Sequence, residues 1–136
     1  FLKIFKIPIV TTWSGVDLVD YNNEYYIGNV GVYGSRAANF TVQNSDLILC
    51  LGTRLDTRIT GGVPSSFARK AKKIVVDIDK FELNKKRGLK IDFKVKLDIK
   101  IFFQENRQNF IYTFLTFIFF ISFKIMNSYS FIKQRT

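Results

Sequence analysis

The stretch Leu49–Gly61 reads LCLGTRLDTRITG: an apolar run breaks at Gly52 and then sets Arg54, Asp56 and Arg58 two residues apart. Guanidinium forks after a buried strand suit phosphate or carboxylate. Downstream, KIVVDID places Asp77 and Asp79 at the end of a second apolar run, where a carboxylate can accept ribose hydroxyls. Upstream, GNVGVYG spaces Gly28, Gly31 and Gly34 before a helical pattern. A glycine-rich turn at a helix start can bring backbone N–H groups close to an anion, although the GxGxxG spacing is absent. Each position also has a structural reading, and position alone favours it. Asp56 would pair with Arg54 or Arg58, and Asp79 would cap the helix that follows it.

These residues need parallel strands to converge, and the pattern supplies them. Pro8–Thr12 and Asp46–Leu51 read as strands, Lys73–Ile78 as another, and Asp92–Leu97 alternates as DFKVKL. Continuous apolar runs of this kind are buried on both faces of a parallel sheet. Ser35 is placed to cap a helix over Arg36–Gln43, Lys80–Lys86 reads as a short helix, and Asp98–Phe103 begins a last one. The alternation predicts an α/β fold, a Rossmann-like parallel sheet with helices on both faces. Ligands in such sheets bind at the carboxyl ends of the strands.

Composition narrows the chemistry. The 136 residues contain no histidine and one cysteine, Cys50. Disulfide frameworks, Cys/His zinc sites and Ser-His or Cys-His nucleophiles are therefore excluded within the chain. Cys50 lies in an apolar run and reads as a small buried hydrophobe in a reducing, cytoplasmic setting. No metal ligands and no catalytic residues are assigned. The formal charge of +10 invites a nucleic-acid partner, but the excess is spread along the chain. The basic runs Arg69–Lys73 and Lys85–Arg87 read as solvated helix ends, and no nucleic-acid partner is expected.

The order IPIVTTWSG, GVYGSRAANFTVQNSDLILCLGTRLDTRITG and AKKIVVDIDKFELNKK resembles the central domain of thiamine-diphosphate-dependent enzymes, in the acetolactate synthase-like branch. The resemblance covers about Ile7 to Phe103. It implies a domain lying between a pyrimidine-binding and a pyrophosphate-binding domain, which hold thiamine diphosphate and magnesium across a homo-oligomer interface. The parent would decarboxylate a 2-oxo acid and transfer the carbanion equivalent to a second carbonyl compound. By the same resemblance, Gly31 and Gly34 would line a dinucleotide site that holds a structural FAD in acetolactate synthases. Gly52 and Arg54 would approach its ribose and phosphates, Arg58 would support that loop, and Asp77 and Asp79 would flank the adenosine end. Tyr33 stands where acetolactate synthases carry histidine. The family domain normally opens with a strand and helix before IPIVTT, so an amino-terminally truncated sheet is expected. The activating glutamate and the GDG-to-Asn motif of the outer domains are not found here, and a carbanion mechanism needs the cofactor's ylid. A fragment inactive alone is the expectation; a free-standing nucleotide-binding module is the alternative.

The ends read differently. FLKIFKI resembles the end of an amphipathic helix, as though the chain starts inside a fold. Residues 104–136 contain no Ala, Gly, Val, Asp or Pro, and Phe, Ile, Lys, Asn and Tyr make up 19 of the 33. The charge-free run Gln108–Phe123 falls short of the roughly 20 apolar residues of a membrane span. A tail outside the family domain, irregular or helical, is expected from residue 104. The favoured codons are A/T-rich, which fits a non-selected reading frame, and a membrane-associating tail is the alternative.

Overall fold

The computed structural model describes residues 6–105. The readings of the amino-terminal helix end and of the tail beyond Glu105 lie outside the described residues. Five strands and four α-helices follow in order: β1 (Ile9–Thr11), β2 (Tyr26–Asn29), α1 (Arg36–Gln43), β3 (Leu47–Leu51), α2 (Thr57–Thr60), β4 (Lys72–Asp77), α3 (Lys80–Asn84), β5 (Phe93–Lys96) and α4 (Ile99–Glu105). All described strand pairs are parallel. β1 pairs with β2, and β3, β4 and β5 form a second ladder in that order. Helices flank these ladders, so the α/β class expected from the alternating pattern holds. The expected single sheet is instead two ladders among the described residues, with no strand pairing β1 to β3.

The two ladders share one core. Val30 and Ala38 from the β2–α1 side pack in the same cluster as Cys50, Val75 and Leu83, with Val10, Ile27 and Ile48 against it. Val76, in the middle of β4, is fully buried, as a central strand of a covered parallel sheet requires. Among the described residues, β1, β2, β3 and β5 thus each keep one edge without a strand partner, and β3 carries it on the apolar sequence LILCL. Exposed apolar edges pair with other chains. The purified chain is expected to self-associate in solution, and a monodisperse monomer in light scattering would overturn this expectation.

Local chemistry explains the element boundaries. Ser35 Oγ accepts the Ala38 amide at 3.1 Å and starts α1. Asp79 Oδ1 accepts the Phe81 amide at 2.8 Å and starts α3, so its capping role is realised. Asp56 caps α2 by accepting the Arg58 amide at 3.0 Å. That overturns the expected ion pair with Arg54 or Arg58: the carboxylate turns to an orphan helix amide two residues on.

The basic runs also depart from expectation at two positions. Lys73 is buried, and its ammonium donates to the carbonyls of Ala68 (2.7 Å) and Ala71 (3.0 Å) just before β4. Burial pushes its pKa below the ordinary value, partly offset by Asp92. The Asp92 carboxyl is held low chiefly by the Lys73 backbone amide, 2.9 Å away. Arg87, the second exception, bonds to Glu82 behind the cleft lining.

Candidate functional site

The carboxyl ends of β3 and β4 open onto a cleft of about 370 Å³ lined by Gly52, Arg54, Asp77, Ile78, Asp79, Glu82, Asp98 and Ile99. That size lies within the range of small-molecule sites. One wall is the loop that leaves β3, and the opposite wall is the turn and first residues of α3. The floor is the end of β4, where Asp77 Oδ1 accepts the Asp79 amide at 2.9 Å. Asp77 and Asp79 each commit one oxygen to a backbone amide in these bonds, which fixes their rotamers and leaves the second oxygen for a ligand hydroxyl or amine.

Gly52 has φ +57°, and a Cβ there would stand 2.5 Å from Ile99 Cδ1 across the cleft. Glycine follows this left-handed path without the strain a Cβ would add, and the absent side chain leaves room beside Ile99. Three residues on, Leu55 has φ +48° with its side chain buried. A non-glycine residue in the left-handed region costs about 1–2 kcal/mol, so burial of the Leu55 side chain must hold the turn. Arg54 is carried on that turn with its side chain largely free, its Nε 4.0 Å from Glu82 Oε1. Glu82 also receives Lys85 at 3.7 Å and Arg87 at 3.0 Å. With Asp77, Asp79, Glu82 and Asp98 against Arg54, the lining has more acceptors than cationic donors. It suits the hydroxyl and amine groups of a nucleoside, with Arg54 alone offered to a phosphate.

The residues singled out in the sequence divide between this cleft and a second locus. Gly52, Arg54, Asp77 and Asp79 come together in the cleft. Gly31, Gly34 and Arg58 meet instead at the turn between β2 and α1. Gly31 has φ +116°, and a Cβ there would fall 2.5 Å from the Arg58 carbonyl oxygen. A Cβ on Gly34 would overlap the backbone of Asn29 and Val30. The Arg58 carbonyl accepts the Val32 amide at 2.7 Å, while its guanidinium lies 5.7 Å from the Trp13 ring centroid as a cation–π contact. Arg58 therefore supports the glycine turn, and none of these three lines the cleft. Glu82, Asp98 and Arg87 are the residues that sequence reasoning missed. Glu82 lies in the helix after β4 and Asp98 two residues beyond the end of β5, and both could have been found by reading each strand end through its following helix. Nothing in the run KKR marks Arg87 as buried.

Parallel ladders with intervening helices and a polar cleft at the strand ends define an α/β domain of the Rossmann-like kind. The chain belongs to the thiamine pyrophosphate enzyme central-domain family, whose model matches residues 1–105. It is similar to the acetolactate synthase isozyme 2 large subunit of Escherichia coli K12, 42% identical over 87 residues, which is 64% of this chain and 16% of that protein. The acetolactate synthase large subunit of Porphyra purpurea is 40% identical over 63% of this chain and 14% of its own length. A probable acetolactate synthase large subunit of Methanococcus aeolicus is 34% identical over 76% of this chain and 17% of its own. The chain thus spans about a sixth of the length of such curated relatives. Among the described residues, no helix is long and apolar enough to cross a membrane.

Proposed function

We propose that the chain serves as the central domain of an acetolactate synthase-like enzyme and contributes a nucleotide-binding cleft, with FAD as the dinucleotide. The observation that carries this reading is the convergence of Gly52, Arg54, Asp77 and Asp79 on one cleft at the ends of two adjacent parallel strands. The residues present suit such a group. Gly52 removes the Cβ that would meet Ile99, the two aspartates are oriented by backbone amides, and Arg54 offers a mobile fork for a phosphate. The adenosine end fits the carboxylate-rich floor.

The catalytic cofactor belongs elsewhere in this reading. Thiamine diphosphate, when bound, supplies the ylid that attacks a 2-oxo acid, and with magnesium it is held by pyrimidine- and pyrophosphate-binding domains, which are this domain's partners within a homo-oligomer. The role of this chain is to bind and orient, and alone it turns over no substrate. The names of the relatives support a parent that acts in acetolactate synthesis, a carboligation of 2-oxo acids.

Calorimetry with FAD and with ADP on the 136-residue chain tests the cleft. Micromolar, saturable binding is expected, weakened at least tenfold by Arg54→Ala, because a charge-assisted bond to phosphate is removed from a site with no second cation on its lining. Absence of binding by either nucleotide, or binding indifferent to Arg54→Ala and to Asp77→Asn, would overturn the reading. Carbon dioxide release from pyruvate by the chain with thiamine diphosphate and magnesium would overturn its purely supporting role.

A further inference from the structure

Arg87 ends the run Lys85–Arg87, yet its side chain is only 8% exposed, whereas that of Lys85 is 51% exposed. Its guanidinium donates through one terminal nitrogen to the Arg54 carbonyl, and through the other to both the carbonyl and the carboxylate of Glu82. Its Nε is buried without a partner. A long cationic side chain is buried in this way only when its fork is well satisfied, and here the fork spans two segments 28 residues apart. One is the Gly52–Leu55 turn, with its two left-handed residues; the other is α3. They are the facing walls of the cleft.

We propose that Arg87 is a positioning residue that latches the Arg54–Leu55 turn to α3 and so sets the width of the cleft and the placement of the Arg54 fork. The proposal rests on the reading of that cleft as the nucleotide site. By holding the carbonyl that precedes Leu55, Arg87 opposes relaxation of that strained residue to an ordinary conformation. By occupying Glu82 Oε2, it leaves Oε1 to Arg54 and Lys85, so the exposed Arg54 side chain stays directed along the cleft wall. A lysine lacks the planar fork that reaches the two carbonyls and the Glu82 carboxylate through separate nitrogens, so its single ammonium holds the facing segments less rigidly. Charge alone therefore does not reproduce the latch.

Limited proteolysis with trypsin reads the latch without any ligand, because the scissile carbonyl of the Arg54–Leu55 bond is the group that Arg87 holds. Arg87→Met and Arg87→Lys are each expected to speed cleavage at Arg54 at least tenfold, while cleavage at Lys73 in the buried strand β4, which reports global unfolding, rises much less. Should Arg87→Met fail to fold, Arg87→Lys decides the matter. Equal acceleration at both sites, or none at Arg54, overturns the proposal. Calorimetry with ADP supplies the second readout. Weakened ADP binding in a variant with a released turn supports the positioning role, and unchanged binding in such a variant overturns it. If the unmodified chain binds no ADP, the nucleotide reading fails, and the proteolysis ratio alone then upholds or overturns the latch.

Discussion

Gly31→Ala is expected to destabilise the chain by about 3–4 kcal/mol, seen as a lower urea midpoint with an unchanged slope. Two costs combine. The φ of +116° at Gly31 lies where a side chain costs roughly 1–3 kcal/mol, and the new Cβ would press to 2.5 Å on the Arg58 carbonyl oxygen and 3.3 Å on Ile59 Cα. Both neighbours are backbone, so no side chain can swing aside, and forced overpacking adds about 1–3 kcal/mol. Relief by moving the turn would cost other bonds. The Gly31 amide and carbonyl are clasped by the Asn39 side chain at 2.9 Å each, and the Val32 amide holds the same Arg58 carbonyl. Gly61→Ala supplies the control, since its φ is +82° but a Cβ there would meet nothing within 4 Å. It should cost only the conformational part, roughly 1–3 kcal/mol, without the added overpacking. Equal losses in the two variants would show that the close approach to α2 is not what holds Gly31.

That contrast bears on how the glycines of GNVGVYG could be read from sequence. Their spacing suggests a phosphate cradle, and close backbone packing by itself already accounts for glycine at two of them, Gly31 against α2 and Gly34 against the β2 end. Spacing reveals that the backbone must approach something closely and is silent on whether that something is a ligand or another segment. The same limit applies to β2. Tyr26–Asn29 lies inside a glycine-punctuated stretch with no alternation, and it becomes a strand through parallel pairing with β1. α2 has four residues and no helical period, and only the Asp56 cap marks its start. By contrast, α1 begins and ends where its cap and apolar pattern place it, and β3, β4 and β5 follow their apolar or alternating runs to within a residue or two. The cleft was half legible. Gly52, Arg54, Asp77 and Asp79 sit at strand ends, where topology alone brings them together. Arg87 was illegible because two of its three acceptors are backbone carbonyls, which no residue type announces.

Lys73 was hidden for the same reason, and it works against the buried Cys50 thiol, which makes alkaline pH the condition under which this core weakens. Burial pushes the Cys50 thiol from its ordinary 9.0 up to about 12, with Lys73 pulling the other way. Between those values the folded chain binds a proton that the unfolded chain releases, so folding stability falls as pH rises. At about 1.4 kcal/mol per pH unit, the loss approaches 4 kcal/mol by pH 12, a large share of the roughly 5–15 kcal/mol that holds a domain. Lys73 acts in the opposite sense. Its folded pKa lies below 10.5, so up to 10.5 the unfolded chain binds the extra proton and stability gains with pH. The two therefore oppose each other in the window just below 10.5, and above it Cys50 is the one of the pair that continues to titrate. Urea unfolding followed from pH 8 to 12 should show a shallow dependence that steepens downward past 10.5. Cys50→Ala should remove the steep limb while leaving the gain below it. Alkylation of the folded chain at pH 8 supplies the direct check: the thiol should react about a thousandfold more slowly than in urea, from suppression of the thiolate alone. A steep alkaline limb that survives in Cys50→Ala would mean that another group, not this buried thiol, limits the fold at high pH.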